Sequence, residues 1–209
     1  MYVIDPVCRN KADIVLALDQ STSVVQEKWG GMNNWEREVL GFARRIAGAF
    51  AIDETQTQVG VLKFNQSVEI VFHLDRYGDR ESLLNAIGKM ENWGGNTNIA
   101  IALRTARDMF SPSHGSRPHV HKILILVTDG TANKEESNTL PEAKRTKEAG
   151  IMIYTVGITS EVKRDQLSKV ASKPENFFYV ANFKELNNVL HDLIEKSCKD
   201  TGMERSMLL

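Results

Sequence analysis

Asp13-Ile14-Val15-Leu16-Ala17-Leu18-Asp19-Gln20-Ser21-Thr22-Ser23 is the stretch on which the fold turns. Its first part is a short, almost wholly apolar run, the pattern of a strand buried on both faces of a parallel sheet rather than on one face of an antiparallel sheet. Its second part is polar and rich in hydroxyls, placed just where such a strand ends. In open α/β sheets ligands bind outside the carboxyl ends of the strands, where the chain order switches direction. Asp19, Ser21 and Ser23 are therefore the first candidates for function.

Working outward, strands and helices alternate. Trp35, Val39, Phe42, Ile46 and Ala49 recur at helical spacing, with Asn33 or Asn34 available as a cap. Residues 58–64 and 67–74 are strand-like and separated only by Asn65-Gln66, too short for a parallel crossover, so they form an antiparallel hairpin. A helix beginning at Asp79 turns Leu83, Leu84 and Ile87 inward. Gly94-Gly95 breaks the chain before a helix marked by Ile99, Leu103, Ala106 and Phe110. Apolar strands at 122–128 and 151–157 flank a helix over 141–149 that stops at Gly150. A helix over 162–172, a short strand over 177–180 and a last helix carrying Phe183, Leu186, Val189, Leu190, Leu193 and Ile194 complete the pattern. The fold class is α/β: one open, mostly parallel sheet with one antiparallel edge strand and helices on both faces.

The chain has 209 residues with 26 basic and 27 acidic side chains, a net charge of −1 that gives no footing for nucleic acid or an anionic membrane. No apolar run is long enough to span a bilayer. The first residues lack the charged and apolar regions of a signal peptide, so a secreted origin requires that the signal was removed or that the sequence is an excised segment. Two cysteines, Cys8 and Cys198, lie near the two ends; by count alone they are two free thiols or one bridge.

Two more segments should meet Asp19-Gln20-Ser21-Thr22-Ser23 at the carboxyl edge: Trp93-Gly94-Gly95-Asn96-Thr97-Asn98, and Thr128-Asp129-Gly130. Together they offer carboxylates and hydroxyls, with no histidine or cysteine and with no histidine or glutamate placed as a general base. An all-oxygen set suits Mg²⁺, Mn²⁺ or Ca²⁺ and disfavours Zn²⁺. With only two carboxylates the ion keeps water or takes an oxygen from a partner. Each piece has a plainer reading: hydroxyls capping a helix, Asp-Gly as a turn, Gly-Gly as a hinge. The conjunction is more specific than its parts.

The pattern D-x-S-x-S at 19–23, Thr97 and Asp129, with Val59-Gly60-Val61-Leu62-Lys63-Phe64 and Ile153-Tyr154-Thr155-Val156-Gly157-Ile158, resembles the von Willebrand factor type A domain over residues 8–198. That leaves 1–7 and 199–209 as flanking linkers. The resemblance implies a six-stranded sheet of order 3-2-1-4-5-6. It also implies a metal-ion-dependent adhesion site holding one divalent cation, Mg²⁺ first, on Asp19, Ser21, Ser23, Thr97 and Asp129. Ser21 and Ser23 would bind directly, Thr97 directly or through water, and the aspartates often through water. Asn98-Ile99-Ala100 departs from the second threonine and glycine of many relatives. The short interval between Asp129 and Pro141 leaves little room for the extra helix of collagen-binding integrin domains. The chain looks closest to matrix A domains such as those of matrilins, type VI collagen or von Willebrand factor.

The resemblance, with both cysteines expected opposite the metal edge, implies a Cys8–Cys198 disulfide and an oxidising compartment. A tether there restrains the last helix, so little affinity switching is expected. The functional expectation is a secreted, non-enzymatic adhesion or matrix-assembly module that binds an extracellular-matrix protein, with collagen a candidate and sibling A domains or self-association as further partners. The alternatives are a structural matrix domain with a non-essential metal, an intracellular assembly subunit and, least favoured, a metal-dependent hydrolase. Asn65-Gln66-Ser67 matches the N-glycosylation pattern on an expected surface turn. His119 and His121 are read as sheet-edge residues, Trp29, Trp35 and Trp93 as packing, and the charges near 134–136 and 144–147 as solvated surface.

Overall fold

A computed structural model describes residues 8–26, 31–130 and 132–202. Six strands form one sheet: β1 (Ala12–Asp19), β2 (Thr57–Phe64), β3 (Val68–Phe72), β4 (His121–Thr128), β5 (Ile151–Ile158) and β6 (Phe177–Val180), in the order β3-β2-β1-β4-β5-β6. All neighbours are parallel except β2 and β3. Every residue of β1 and β2 is buried, because helices cover the sheet on both sides and leave neither face to water. Odd and even positions of β1 divide accordingly, with Ile14, Leu16 and Leu18 in one core and Val15 and Ala17 in the other.

The first core is covered by α1 (Leu40–Gly48), α2 (Arg80–Gly88) and α6 (Leu186–Gly202). The second lies under α3 (Ile99–Met109), α4 (Glu136–Glu148) and α5 (Arg164–Val170). Asp79 caps α2 by accepting from the Ser82 amide at 2.8 Å. The turn before α1 is a π-helix over Asn34–Val39, and neither expected asparagine caps it. Asn34 instead donates to the Val24 carbonyl at 3.2 Å. Trp35 is fully buried and donates its indole N–H to the Met90 carbonyl at 2.8 Å, as a buried tryptophan requires.

Three boundaries differ from expectation. α4 starts at Glu136, so Pro141 lies inside it as the sixth residue rather than opening it; there the proline removes one intrahelical hydrogen bond, at an exposed position in the N-terminal half of the helix. α5 is shorter than residues 162–172, ending at Val170. α6 continues through Cys198 to Gly202, so the first residues of the expected trailing linker are helical. The rest of both linkers, 1–7 and 203–209, and Trp29 lie outside the described residues.

Cys8 and Cys198 are joined, with Cα atoms 5.6 Å apart and 190 residues of separation. The Cys8 amide bonds to the Ala49 carbonyl at 3.0 Å, and Asn10 Nδ2 donates to the Cys198 carbonyl at 3.1 Å. Two residues after the bridge, Asp200 accepts from the Tyr154 hydroxyl at 2.5 Å and from Lys173 at 3.2 Å. The end of α6 is thus fixed to the segment before β1 by a covalent bond and to β5 by a partly buried polar one. At the same edge Arg117 binds Asp13, which is fully buried, through Nε at 2.9 Å and Nη2 at 2.8 Å. A bridge closing so long a loop contributes about 2–5 kcal/mol. Cys198→Ser should therefore lower the stability measured by urea unfolding by about that amount, and intact mass should rise on reduction of the wild type only.

Candidate metal centre

β1 and β4 run side by side, Leu18 opposite Val127, so the residues that follow them emerge together at the carboxyl edge. Asp19 ends β1 and is buried. Its Oδ1 accepts from the Ser21 amide at 2.8 Å and its Oδ2 from the Thr128 hydroxyl at 2.5 Å. Ser21 Oγ lies 2.9 Å from Ser23 Oγ, and Ser23 Oγ donates to Asp129 Oδ1 at 2.8 Å. Thr97 reaches the same place from the loop before α3: a methyl group on Gly130 would stand 2.9 Å from Thr97 Oγ1 and 3.6 Å from Ser23 Oγ. The structure brings together all five residues expected there, and a side chain at 130 would fill the space between them.

The loops are fastened by polar contacts that the motif does not contain. Asn133 Oδ1 accepts from the Thr97 amide at 3.1 Å, and the Thr97 carbonyl accepts from the Asn133 and Lys134 amides. Thr22 Oγ1 accepts from the Gly95 amide at 2.8 Å, and Gln66 Oε1 from the Asn96 amide at 2.7 Å. Gly95 has φ +115°, and a Cβ there would come within 2.6 Å of Gln66 Oε1, so the position requires glycine. Asn98 caps α3 by accepting from the Ile101 amide and donates to Glu135 at 3.0 Å. Thr159 is buried at φ +69°, costly for a β-branched residue, and donates to the Asp129 carbonyl at 3.2 Å. Thr22, Gly95, Asn96 and Asn98 lie within the segments that the motif marks, whereas Asn133, Glu135 and Thr159 carry no short sequence signature.

Four expectations need correction. Asn65, expected on a surface turn, is buried: its Nδ2 donates to the Gly94 carbonyl at 2.5 Å, and its Oδ1 accepts from the Ser67 amide and hydroxyl. The nitrogen that would carry a sugar is holding the Thr97 loop. Trp93 does not pack; it is 68% exposed beside that loop. Glu161 lies close enough to act electrostatically on Asp129, so a glutamate does approach the site. Glu135 likewise is more than solvated surface, and Lys147 donates to the Lys169 and Ala171 carbonyls.

The electrostatics suit a cation. Burial pushes Asp19 up to about 6, against the opposing hydrogen bonds from Thr128 and Ser21. Burial pushes Asp129 up to about 8, with the Asp19 charge adding to it. Asp129 Oδ2 is buried without a hydrogen-bond partner among the described residues, and such an atom is costly unless something fills the gap. Two carboxylates and three hydroxyls give a hard oxygen set whose charge matches a divalent ion. Among the described residues no three histidine, cysteine, aspartate or glutamate side chains gather as a metal cluster, so the hydroxyls are indispensable to any ion held here.

The von Willebrand factor type A domain model matches residues 13–193, and the chain belongs to that family. Within it, the chain is 30% identical over 193 residues to the transmembrane cell adhesion receptor mua-3 of Caenorhabditis elegans, covering 90% of this chain and 5% of the receptor. It is 32% identical to the mouse collagen alpha-6(VI) chain, covering 91% of this chain and 8% of the collagen chain. Proximal thread matrix protein 1 of the mussel byssus superposes with a TM-score of 0.85 at 27% identity, over 91% of this chain and 49% of that one; the same protein has been solved with a zinc occupied MIDAS motif. The chain therefore spans a small part of these curated relatives.

Both aspartates hold protons more tightly folded than in an unfolded chain, where a carboxyl titrates near 3.9. Protonation thus favours the fold: their contribution is fully present below about pH 4 and is lost as pH rises through about 6 and about 8. In EDTA the melting temperature should fall between pH 5 and 8.5, and Mg²⁺ at a hundred times its Kd should restore roughly 2.7 kcal/mol, or about 5–10 °C. Asp129→Asn should raise the EDTA melting temperature at pH 8 and abolish the Mg²⁺ response. Comparing the two proteins separates these groups from His73, whose lowered pKa, caused first by burial, acts in the opposite direction.

Proposed function

We propose that this domain is a non-catalytic adhesion or matrix-assembly module that binds an extracellular-matrix protein, collagen being the first candidate, through a divalent cation, Mg²⁺ foremost. The observation that carries this reading is the unpartnered Asp129 Oδ2, buried among the oxygens of Asp19, Ser21, Ser23 and Thr97. Ser21, Ser23 and Thr97 would bind the ion directly, and the two aspartates would supply its countercharge. The bound ion supplies a Lewis-acidic position that a partner's carboxylate can occupy in place of water.

The protein's own residues support recognition rather than turnover. Asp19 and Asp129 are occupied in holding Ser21, Thr128 and Ser23, and no histidine shares these contacts. Trp93, exposed beside the Gly94-Gly95 turn, offers a large apolar surface next to the approach of a partner. The matrix and adhesion relatives point to the same class of partner and to a secreted setting, which the Cys8–Cys198 bridge suits. Zinc in the mussel relative leaves Mg²⁺ as a preference to be measured.

A solid-phase panel of matrix proteins, collagens included, tests this directly. Binding should appear in Mg²⁺ and vanish in EDTA or with Asp19→Ala or Thr97→Ala. Trp93→Ala should keep the Mg²⁺-induced thermal shift yet weaken binding by about 2 kcal/mol, roughly thirtyfold. Equal binding in excess EDTA would leave the ion without a role in recognition.

A further inference from the structure

On the helical layer formed by α1, α2 and α6, a cleft of about 350 Å³ opens away from the strand ends that carry the metal centre. Its floor is apolar, built by Leu84 of α2 and Leu190 and Ile194 of α6, all partly exposed. Its walls carry Arg44 and Arg45 of α1 and Arg80 of α2, and no acidic side chain lines it. Two glycines of α1 let the guanidinium groups lie close to the helix: a Cβ on Gly48 would stand 3.0 Å from Arg80 Nη2, and one on Gly41 3.2 Å from Arg45 Nη1.

Three arginines share this apolar cleft without a carboxylate in direct contact among the described residues. Among the described residues none of them makes a salt bridge, whereas Arg104, Arg107, Arg117 and Arg145 all do. Arg80 Nε is buried against α1 without a hydrogen-bond partner among the described residues, so this guanidinium has hydrogen-bonding capacity that the described residues leave unused. Burial also disfavours the Arg45 charge, with Glu38 acting in the opposite sense. A planar guanidinium matches a carboxylate through two parallel hydrogen bonds. The apolar floor selects further: it gains nothing from a sulfated sugar chain, but it accepts an aliphatic side chain.

We infer that this cleft is a second binding site, for an acidic peptide segment of a partner protein that places an aliphatic side chain between its carboxylates. The aliphatic group would rest on Leu84, Leu190 and Ile194 while the carboxylates meet Arg44, Arg45 and Arg80. The site needs no metal, so the domain can hold one partner at the strand edge and another on its flank.

Fluorescence polarisation on the whole chain tests it, with a labelled peptide of core Glu-Leu-Glu-Asp-Ile-Glu. Saturable binding is expected, equal in Mg²⁺ and in EDTA, which separates this site from the metal centre. The Arg45→Ala, Arg80→Ala double variant should bind at least tenfold more weakly, as should Arg44→Glu, each with an unchanged melting temperature. A peptide with serine in place of leucine and isoleucine should lose a similar factor, and a heparin octasaccharide should not displace the probe. No saturable binding, or equal binding by Arg44→Glu and the double variant, overturns the proposal. Equal binding of the serine peptide together with displacement by heparin overturns it in favour of a sulfated glycan.

Discussion

Two carboxylates, Asp19 and Asp129, are buried next to each other at the ends of adjacent parallel strands, and much of the surrounding architecture manages that burial. Like charges removed from water repel, and each would rather be protonated. The fold answers with donors: the Ser21 amide and the Thr128 hydroxyl for Asp19, the Ser23 hydroxyl for Asp129. One oxygen, Asp129 Oδ2, is left over. Strand pairing between β1 and β4 imposes the proximity, so it cannot be relieved by local rearrangement. A divalent cation removes the repulsion and fills the gap together.

Holding the hydroxyls in place needs a second ring of contacts. The Thr97 loop is suspended from Asn65, Gln66, Thr22 and Asn133, which come from three different connections between elements. The loop therefore gains its shape from neighbours rather than from its own sequence, apart from the glycine at 95. Thr159 completes the ring from β5, accepting a left-handed backbone so that its hydroxyl can reach the Asp129 carbonyl. At the far edge the chain ends are fixed by Cys8–Cys198, by Asp200 on Tyr154 and by Arg117 on Asp13. Rigid anchoring there leaves the metal edge and the α1–α2–α6 flank as the surfaces open to partners.

Local pattern was enough for the mostly parallel sheet and for the segments that meet at its carboxyl edge, while the strand order came with the family resemblance. Continuous apolar runs at β1, β4 and β5 can only be strands covered on both sides, and two residues between β2 and β3 allow only a hairpin. Once strand direction is known, the residues after each strand must share an edge. The same logic misjudged Asn65, Trp93 and Glu161. A glycosylation pattern records neighbours in sequence, but whether an amide faces water depends on Gly94, distant along the chain. A tryptophan beside two glycines packs or projects according to how the loop is hung. Helix limits moved for a related reason: Pro141 is tolerated in an early turn of α4, and α6 runs past Cys198 because Asp200 and Thr201 have partners on the body of the domain.

By itself the sequence determined the fold class and the gathering of carboxylates and hydroxyls, because periodicity and connection length act over short stretches and fix strand direction; the strand order followed from the family that the motifs resemble. Only the tertiary structure decided that Asp129 keeps an unpartnered oxygen, that Trp93 stands in solvent and Asn65 does not, and that Arg44, Arg45 and Arg80 share one apolar cleft. Those properties depend on which atoms face each other across elements far apart in the chain, and desolvation is set by that packing rather than by any residue's neighbours in sequence.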